Sequence, residues 1–270
     1  MKILILGAGG VGGYFGAKLL RAGADVTFVL RDKRRQLIQE HGLSIETPKE
    51  SFTVFPACVT SAELAADYDL IILAPKSYDL DDALSSLAGA SSKGAILPFL
   101  NGLSHIGLLD QRFGKQRVMG GVAHIAAMLT EAGAVRQLNE LNSLTVGHRH
   151  ADHEALAREF MALCAKADFD SYYSDDIEQA LWDKWVFLAT LASMTTLCQG
   201  TVGEIVDTPC GTDLTRKVYA ECCAIADRCA YPINESSREK ALAMLTKPGS
   251  PFTASMLRDM KSGQRTEHEH

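Results

Sequence analysis

The sequence predicts a two-domain α/β protein, in which a parallel sheet with added antiparallel strands is followed by an all-α domain. Three observations predict it. Residues 1–110 alternate apolar segments of strand length with helical patterns, a glycine-rich turn joins the first strand to the first helix, and strand patterns end before residue 177. Alternating strand and helix patterns are typical of parallel sheets with crossover helices.

Composition is that of an ordinary globular protein. At 270 residues the chain is long for one domain and comfortable for two. Hydrophobic residues make up 47% of the chain and charged residues 22%, which suits a substantial core. The net charge of −6 argues against nucleic acid and anionic membranes as partners. Seven scattered cysteines without a CxxC pair fit a reducing compartment, so we expect a cytoplasmic protein.

Neither a targeting segment nor a membrane span is expected. The N-terminal apolar stretch, residues 2–6, turns directly into glycines and is too short for a signal peptide. The longest apolar segment, residues 186–197, contains serine and threonine and is too short to cross a bilayer.

The elements of the first domain follow in order. Strands of the parallel sheet are predicted at Lys2–Leu6, Asp25–Leu30, Asp69–Ala74 and Ala95–Leu100. An amphipathic helix, Gly10 to Ala22, joins the first two and stops at Gly23, as helix C-termini often do. Leu43–Glu46 and Ser51–Phe55 flank a Pro-Lys-Glu turn and are predicted to form a small hairpin.

Later strands and a boundary complete this domain. Strands at Val118–Met128, Val135–Leu138 and Ser143–Val146 are expected to extend the sheet, and a helix follows at about His153–Ala167. The polar stretch 168–176 holds the predicted boundary, between a domain of residues 1–170 and one of residues 171–270.

Helical periodicity dominates the second domain. Helices are predicted at Ile177–Cys198, Asp213–Ala230, Ser236–Leu245 and Phe252–Ser262. The chain stops at His270, just where a further helix is expected to begin after Gly263, so we expect this domain to continue.

A dinucleotide-binding fingerprint lies between the first strand and the first helix, in the segment Gly7-Ala8-Gly9-Gly10-Val11-Gly12. The first glycine of the G-x-G-x-x-G pattern permits a tight turn, the second lets the backbone approach a pyrophosphate, and the third lets helix and strand pack closely. The free N–H groups of the helix N-terminus favour phosphate binding.

The end of the second strand predicts NADP rather than NAD. NAD sites place an acidic residue there, whereas this chain places Arg31, whose guanidinium suits a 2′-phosphate. The cations of residues 33–35 add positive potential nearby, although Asp32 opposes it. Residues 33–35 by themselves are equally typical of a solvated helix start.

Two polar residues follow further strands of the sheet. Lys76 and Asn101 come after the strands that begin at Asp69 and Ala95, and strand C-termini in such sheets face the ligand crevice. Both are therefore candidates for contacts with cofactor or substrate. The alternative for Asn101-Gly102 is a simple turn.

Several motifs in this spacing resemble the ketopantoate reductase (2-dehydropantoate 2-reductase) family. They are the glycine fingerprint, Arg31, Lys76, Asn101-Gly102, Trp182-x-Lys184, and Ser255-Met256-Leu257-x-Asp259 with the later Thr266-Glu267. The resemblance covers nearly the whole chain, and the last motif is its most specific part. It implies reduction of a 2-keto acid by NADPH, a cleft between a Rossmann domain and a helical domain, and a role in pantothenate biosynthesis.

Carried over by position, the resemblance assigns site roles. Lys184 matches the lysine that donates a proton to the keto oxygen, and Glu267 the glutamate that approaches the cofactor. Ser255 matches a serine that binds the substrate carboxylate, Asn101 an asparagine that contacts cofactor and substrate, and Ala126 a backbone contact to the cofactor. An ammonium beside a carbonyl polarises it and protonates the alkoxide, and burial beside tryptophans lowers its pKa. Without the resemblance, a surface lysine is an equal interpretation.

Departures from the family pattern concern the substrate. Asparagines expected four and eight residues after the lysine are Leu188 and Ala192, and a third, expected before Gly203, is Val202. Loss of these amides removes discrimination for a substrate hydroxyl, so we expect a more hydrophobic 2-keto acid or another carbonyl compound.

Three functional hypotheses remain at this point. The first is the NADPH-dependent 2-keto acid reductase. The second is a hydroxyacid or 6-phosphogluconate-type dehydrogenase, and the third is a non-catalytic NADPH-binding sensor. No metal is expected, because the histidines of residues 148–153 lie in a loop and hydride transfer needs none. A homodimer is possible, but no residue specifies it.

Overall fold

The structure, a computed structural model, describes residues 1–87 and 94–270. These residues form two compact units, Met1–Ile177 and Glu178–His270. The first unit contains sheets and helices and the second contains helices, which confirms the predicted fold class.

The strands and helices of the first unit alternate along most of its length. Its strands are β1 (Lys2–Leu6), β2 (Asp25–Val29), β3 (Leu43–Glu46), β4 (Ser51–Val54), β5 (Ala57–Val59), β6 (Leu70–Leu73), β7 (Ala95–Pro98), β8 (Gly120–Leu129), β9 (Val135–Gly147) and β10 (Asp170–Tyr173). Its helices are α1 (Gly10–Arg21), α2 (Asp32–His41), α3 (Leu80–Ser86), α4 (Ser104–Phe113) and α5 (Glu154–Cys164).

The four predicted strands of the parallel sheet are confirmed, and β5 joins them in the order β5-β2-β1-β6-β7. All neighbouring strands in it run parallel. The three-residue β5 escaped prediction because it is too short to show a period. In this order the connections reverse direction between β1 and β6, which is where open α/β sheets bind their ligands.

The later strands do not extend this sheet, so that expectation was wrong. They form a second sheet in the order β10-β9-β3-β4, with β8 antiparallel to β9. Two strands were predicted within residues 135–146, but the structure has one, β9. It is continuous because β8 pairs with it on both sides of an irregular step between Ile125 and Ala127. The predicted hairpin of β3 and β4 is confirmed and is part of this sheet.

Strand β10 shows why the polar stretch before residue 177 is structured. Residues Asp170–Tyr173 pair in parallel with Ser143–Val146 of β9, so they belong to the first unit. The predicted boundary between residues 170 and 171 falls inside this strand, and the division lies at Ile177 and Glu178. Half-exposed polar residues obscured the strand pattern.

The second unit is helical. It contains α6 (Ile177–Cys198), α7 (Val202–Val206), α8 (Gly211–Arg228), α9 (Glu235–Leu245) and α10 (Ser255–Lys261), with the first residue of α6 assigned to the first unit. The predicted bounds of α6 are confirmed. Helix α7 was not predicted, although its capping box is visible in the sequence: Thr201 and Glu204 bond each other's backbone N–H groups.

An apolar core holds these helices together. Its buried members include Val186 and Leu191 of α6, Tyr219 of α8, Leu245 of α9 and Ala254 before α10. Among the residues that the structure describes, no helix is both long enough and apolar enough to span a membrane.

Candidate active site

The glycine fingerprint forms a tight turn at the carboxyl end of β1. Gly7 has φ +103, a conformation that L side chains rarely adopt, and a Cβ there would lie 3.2 Å from the carbonyl oxygen of Ala74. A Cβ on Gly12 would collide with the carbonyl oxygen of Gly7 and lie 2.9 Å from the Cβ of Ala74. Both glycines therefore have the steric roles predicted from the pattern.

The two central glycines differ in their surroundings. Gly9 precedes α1 in extended conformation, and among the described residues no heavy atom lies within 4 Å of where its Cβ would be. A Cβ on Gly10 would lie 2.8 Å from the carbonyl oxygen of Ala127. Gly9 thus leaves open space at the N-terminus of α1, while Gly10 lets strand β8 approach the loop.

Three predicted polar residues follow the carboxyl ends of strands in the parallel sheet. Arg31, Lys76 and Asn101 follow β2, β6 and β7, and in the sheet these strands stand on both sides of β1. Arg31 is 78% exposed, with a guanidinium nitrogen 3.8 Å from a carboxylate oxygen of Asp82. Asn101 is exposed and Lys76 is half-buried. The topology brings these positions together beside the glycine loop.

Ala126 lies at the irregular step in the pairing of β8 with β9. Its neighbour Ala127 is the residue whose carbonyl faces Gly10. The structure therefore places Ala126 next to the residue that faces the fingerprint, and its contact with a cofactor stays a prediction. Interruptions of this kind in strand pairing are common beside active sites.

Arg34 of α2 is a residue of this site to which sequence reasoning assigned no specific contact. Its guanidinium donates to the carbonyl oxygens of Ala8 (3.1 Å) and Gly133 (2.7 Å). Burial lowers its pKa below the ordinary arginine value. Spacing in the sequence shows only that Arg34 lies near Arg31, so the bond to Ala8 is visible only in the structure.

Lys184 is the main candidate of the second unit. It lies half-buried on α6, and its pKa is lowered from 10.5 to about 8 because burial penalises the ammonium ion. The carboxylate of Glu267 opposes this by favouring the charged form, so the two side chains interact electrostatically. Neighbouring Trp182 stacks on Tyr231 with ring centroids 5.6 Å apart.

Ser255 begins α10, and its position is set by α6. The backbone N–H of Ala254 donates to the hydroxyl of Thr195 at 3.3 Å. Ser255 itself is half-buried. Lys184 and Thr195 occupy the same face of α6, because helical residues eleven apart differ by about three turns.

Arg258 is a second cation that sequence reasoning missed. It lies one turn after Ser255, half-buried, and burial lowers its pKa. Its guanidinium reaches the carbonyl and hydroxyl oxygens of Thr253 only at 3.4 Å. The sequence did contain a signal for it, because residues three apart in a helix are neighbours and Arg258 follows the candidate substrate-binding Ser255 by three.

Comparison with known proteins assigns the chain to a family. The model described as ketopantoate reductase PanE/ApbA matches residues 3–150, and the model of the C-terminal part of the same family matches residues 176–270. The chain belongs to the ketopantoate reductase family. It is accordingly an oxidoreductase, and the resemblance stated from its motifs is confirmed.

Two relatives align with nearly the whole chain. The uncharacterized oxidoreductase YkpB of Bacillus subtilis is 31% identical, over 100% of this chain and 89% of its own. The 2-dehydropantoate 2-reductase of Archaeoglobus fulgidus is 28% identical, over 99% and 87%.

Solved structures agree with the family assignment. The 2-dehydropantoate 2-reductase of Geobacter metallireducens superposes with a TM-score of 0.88 at 27% identity, over 99% of this chain and 89% of that one. A D-mandelate dehydrogenase in complex with NADH and anilino(oxo)acetate gives 0.87 at 22% identity, over 99% and 88%, which shows a shared fold.

Three positions depart from the asparagines expected in a ketopantoate reductase. Leu188 and Ala192 follow Lys184 at steps of four along α6 and are half-buried against the helical core. Val202 is only 3% exposed and is part of that core. The apolar replacements therefore have packing partners.

Among residues 1–87 and 94–270, no three His, Cys, Asp or Glu side chains are grouped to hold a metal ion.

Proposed function

We propose that this protein reduces a 2-keto acid to the 2-hydroxy acid with NADPH, with hydride added at C2 and the proton donated by Lys184. The observation that carries the proposal is the half-buried Lys184, whose pKa of about 8 suits proton donation near neutrality. A lysine with the ordinary pKa of 10.5 is a weaker acid at that pH.

Residues of the first unit fit a dinucleotide. The open space at Gly9, the N-terminus of α1 and the positive φ of Gly7 form a cradle for a pyrophosphate. Arg31 binds the 2′-phosphate in this proposal, while Lys76, Asn101, Ala126 and Glu267 complete the cofactor contacts. When bound, NADPH supplies the hydride.

The protein's own groups handle the proton and the carboxylate. The Lys184 ammonium polarises the keto oxygen, stabilises the developing alkoxide and protonates it, and it regains a proton from water. Glu267 favours the charged ammonium. Ser255 and Asn101 orient the substrate, and the Arg258 guanidinium adds a positive charge one turn from Ser255, suited to a carboxylate.

The apolar side chains of Leu188 and Ala192 favour a hydrophobic 2-keto acid. Amides at these positions would select a substrate hydroxyl, and a pocket without them gains little from one. We expect branched or aromatic 2-keto acids to be turned over with higher kcat/KM than ketopantoate.

The test is NADPH oxidation with a panel of 2-keto acids that includes ketopantoate. A matched variant, Leu188→Asn with Ala192→Asn, should shift preference toward ketopantoate. Preference of the wild type for ketopantoate would contradict the hydrophobic-substrate proposal. Bound NADPH without turnover on any carbonyl compound would point instead to a sensor, and oxidation of alcohols without keto acid reduction to a dehydrogenase.

Arg31→Ala is expected to weaken NADPH binding by about ten- to hundredfold, because a charged hydrogen bond to the 2′-phosphate is lost. NADH lacks that phosphate, so its affinity should change little. Titration of both dinucleotides measures the ratio. Asp82→Asn is the control: it removes the carboxylate 3.8 Å from Arg31 and should leave NADPH binding equal or slightly tighter. An equal loss for NADH and NADPH in Arg31→Ala would refute the assignment.

A further inference from the structure

The second sheet approaches the glycine loop at several points. The carbonyl of Ala127 in β8 faces Gly10, and the side chain of Val135 in β9 lies 2.8 Å from where a Cβ of Gly13 would be. The turn between these two strands is also near, because Gly133 contacts Arg34. The loop is thus held by the β8–β9 hairpin as well as by the parallel sheet.

The tip of this hairpin is a well-defined turn. Gly133 has φ +84, and hydrogen bonds join Thr130 to Gly133 (2.9 Å) and to Ala134 (2.8 Å). A Cβ on Gly133 would lie 2.5 Å from Leu37 and 2.8 Å from the Arg34 guanidinium, so the tip is seated directly on α2.

Arg34 bridges that tip to the fingerprint. One guanidinium nitrogen donates to the Gly133 carbonyl at 2.7 Å, and the other donates to the Ala8 carbonyl at 3.1 Å. Both acceptors are neutral backbone groups, and no carboxylate of the described residues is among the groups that shift the pKa of Arg34. Neighbouring Arg35, by contrast, has an ordinary ion pair with Glu63 at 2.7 Å.

The bond to Ala8 sets the direction of an amide in the phosphate cradle. The carbonyl of Ala8 and the N–H of Gly9 belong to one trans, planar peptide and point in opposite directions. Holding the carbonyl toward α2 therefore turns the Gly9 N–H away from α2, at the N-terminus of α1 where Gly9 leaves open space.

We propose that Arg34 is a positioning residue of the dinucleotide site, which fixes the Ala8–Gly9 peptide for pyrophosphate binding and couples it to the β8–β9 hairpin. This role of Arg34 rests on the proposed function, because it requires that a dinucleotide binds this loop. Loss of Arg34 should weaken NADH, NADPH and ADP-ribose alike, because all three contain the pyrophosphate. Loss of Arg31 should weaken NADPH alone, because NADH and ADP-ribose lack the 2′-phosphate.

The test is titration of ADP-ribose, NADH and NADPH against the wild type, Arg34→Met, Arg34→Lys and a charge-loss control. The control is Arg21→Met, which removes an exposed arginine bonded to Glu50 at the far end of α1. Arg34→Met should weaken all three ligands by about tenfold with the NADPH to NADH ratio unchanged. Arg34→Lys, which keeps the charge but not the fork, should be intermediate, and Arg21→Met should equal the wild type.

Hydrogen exchange in the free protein gives a second measurement. The amides of residues 9–13 should exchange faster in Arg34→Met than in Arg21→Met. Wild-type affinities and exchange in Arg34→Met would overturn the proposal, as would a loss confined to NADPH, which would make Arg34 a 2′-phosphate ligand. If Arg34→Met does not fold, Arg34→Lys decides by the same criteria. Failure of the wild type to bind any of the three ligands would refute the dinucleotide site itself.

Discussion

Replacing Lys184 by alanine is expected to lower kcat for keto acid reduction by about 10²–10⁴, the usual contribution of a positioned general acid. Dinucleotide affinity should stay near the wild-type value, because the glycine loop and Arg31 belong to the other unit. Steady-state kinetics with the best keto acid, together with NADPH titration, measures both quantities. Near-normal turnover in this variant would remove Lys184 from the chemistry.

The pH dependence provides the accompanying control. Protonated Lys184 is the acid, and its pKa is about 8. Reductive kcat/KM should therefore be level below that pH and fall as the pH rises through it, while oxidation of the hydroxy acid should rise over the same range. In Lys184→Arg the side chain stays charged across this range. That variant should lose both the rate and this limb of the profile, and a limb that persists in it would belong to another group.

Alanine at Gly9 or Gly12 is expected to impair dinucleotide binding for different reasons. Gly9 is extended and faces open space, so a methyl group should leave folding unchanged while it obstructs the pyrophosphate. We expect affinity for NADPH and NADH to fall by about ten- to hundredfold. In Gly12→Ala the new Cβ meets the Gly7 carbonyl and Ala74, which should cost about 1–3 kcal/mol of unfolding free energy as well as affinity.

The two variants control for each other. Thermal unfolding of the free proteins should show Gly9→Ala at the wild-type Tm and Gly12→Ala below it. Titration should then show both with weakened binding. A stable Gly9→Ala that binds NADPH and NADH normally would mean that no pyrophosphate lies against this loop.

Much of the fold could be predicted because its signals are local. The buried strand Lys2–Leu6, the glycines that start α1 and the periodicity of Ile177–Cys198 are visible in short windows of sequence. Prediction failed where partners were distant along the chain. Strands β5 and β10 are short or polar and are held by pairing with β2 and β9, and no local pattern records that pairing.

Some features of the candidate site could likewise be predicted from the sequence, and others depend on contacts between distant segments. Residue type and its place after a strand singled out Arg31, whereas Lys184 and Ser255 were singled out by the resemblance to the family. The lowered pKa of Lys184 depends on the surroundings that bury it. The bridge from Arg34 to Ala8 and Gly133 joins segments far apart in sequence.

The α/β class, the glycine turn and the family could be predicted from residue order alone, because glycine conformations, helix periodicity and motif spacing are properties of neighbouring residues. The folded chain was needed to show that the later strands form a second sheet, that the β8–β9 turn lies against α2, and that Arg34 donates to the Ala8 carbonyl of the fingerprint. Strand partners and burial depend on which distant segments pack together. The free energy of that packing is a property of the folded chain, so no short segment of the sequence records it.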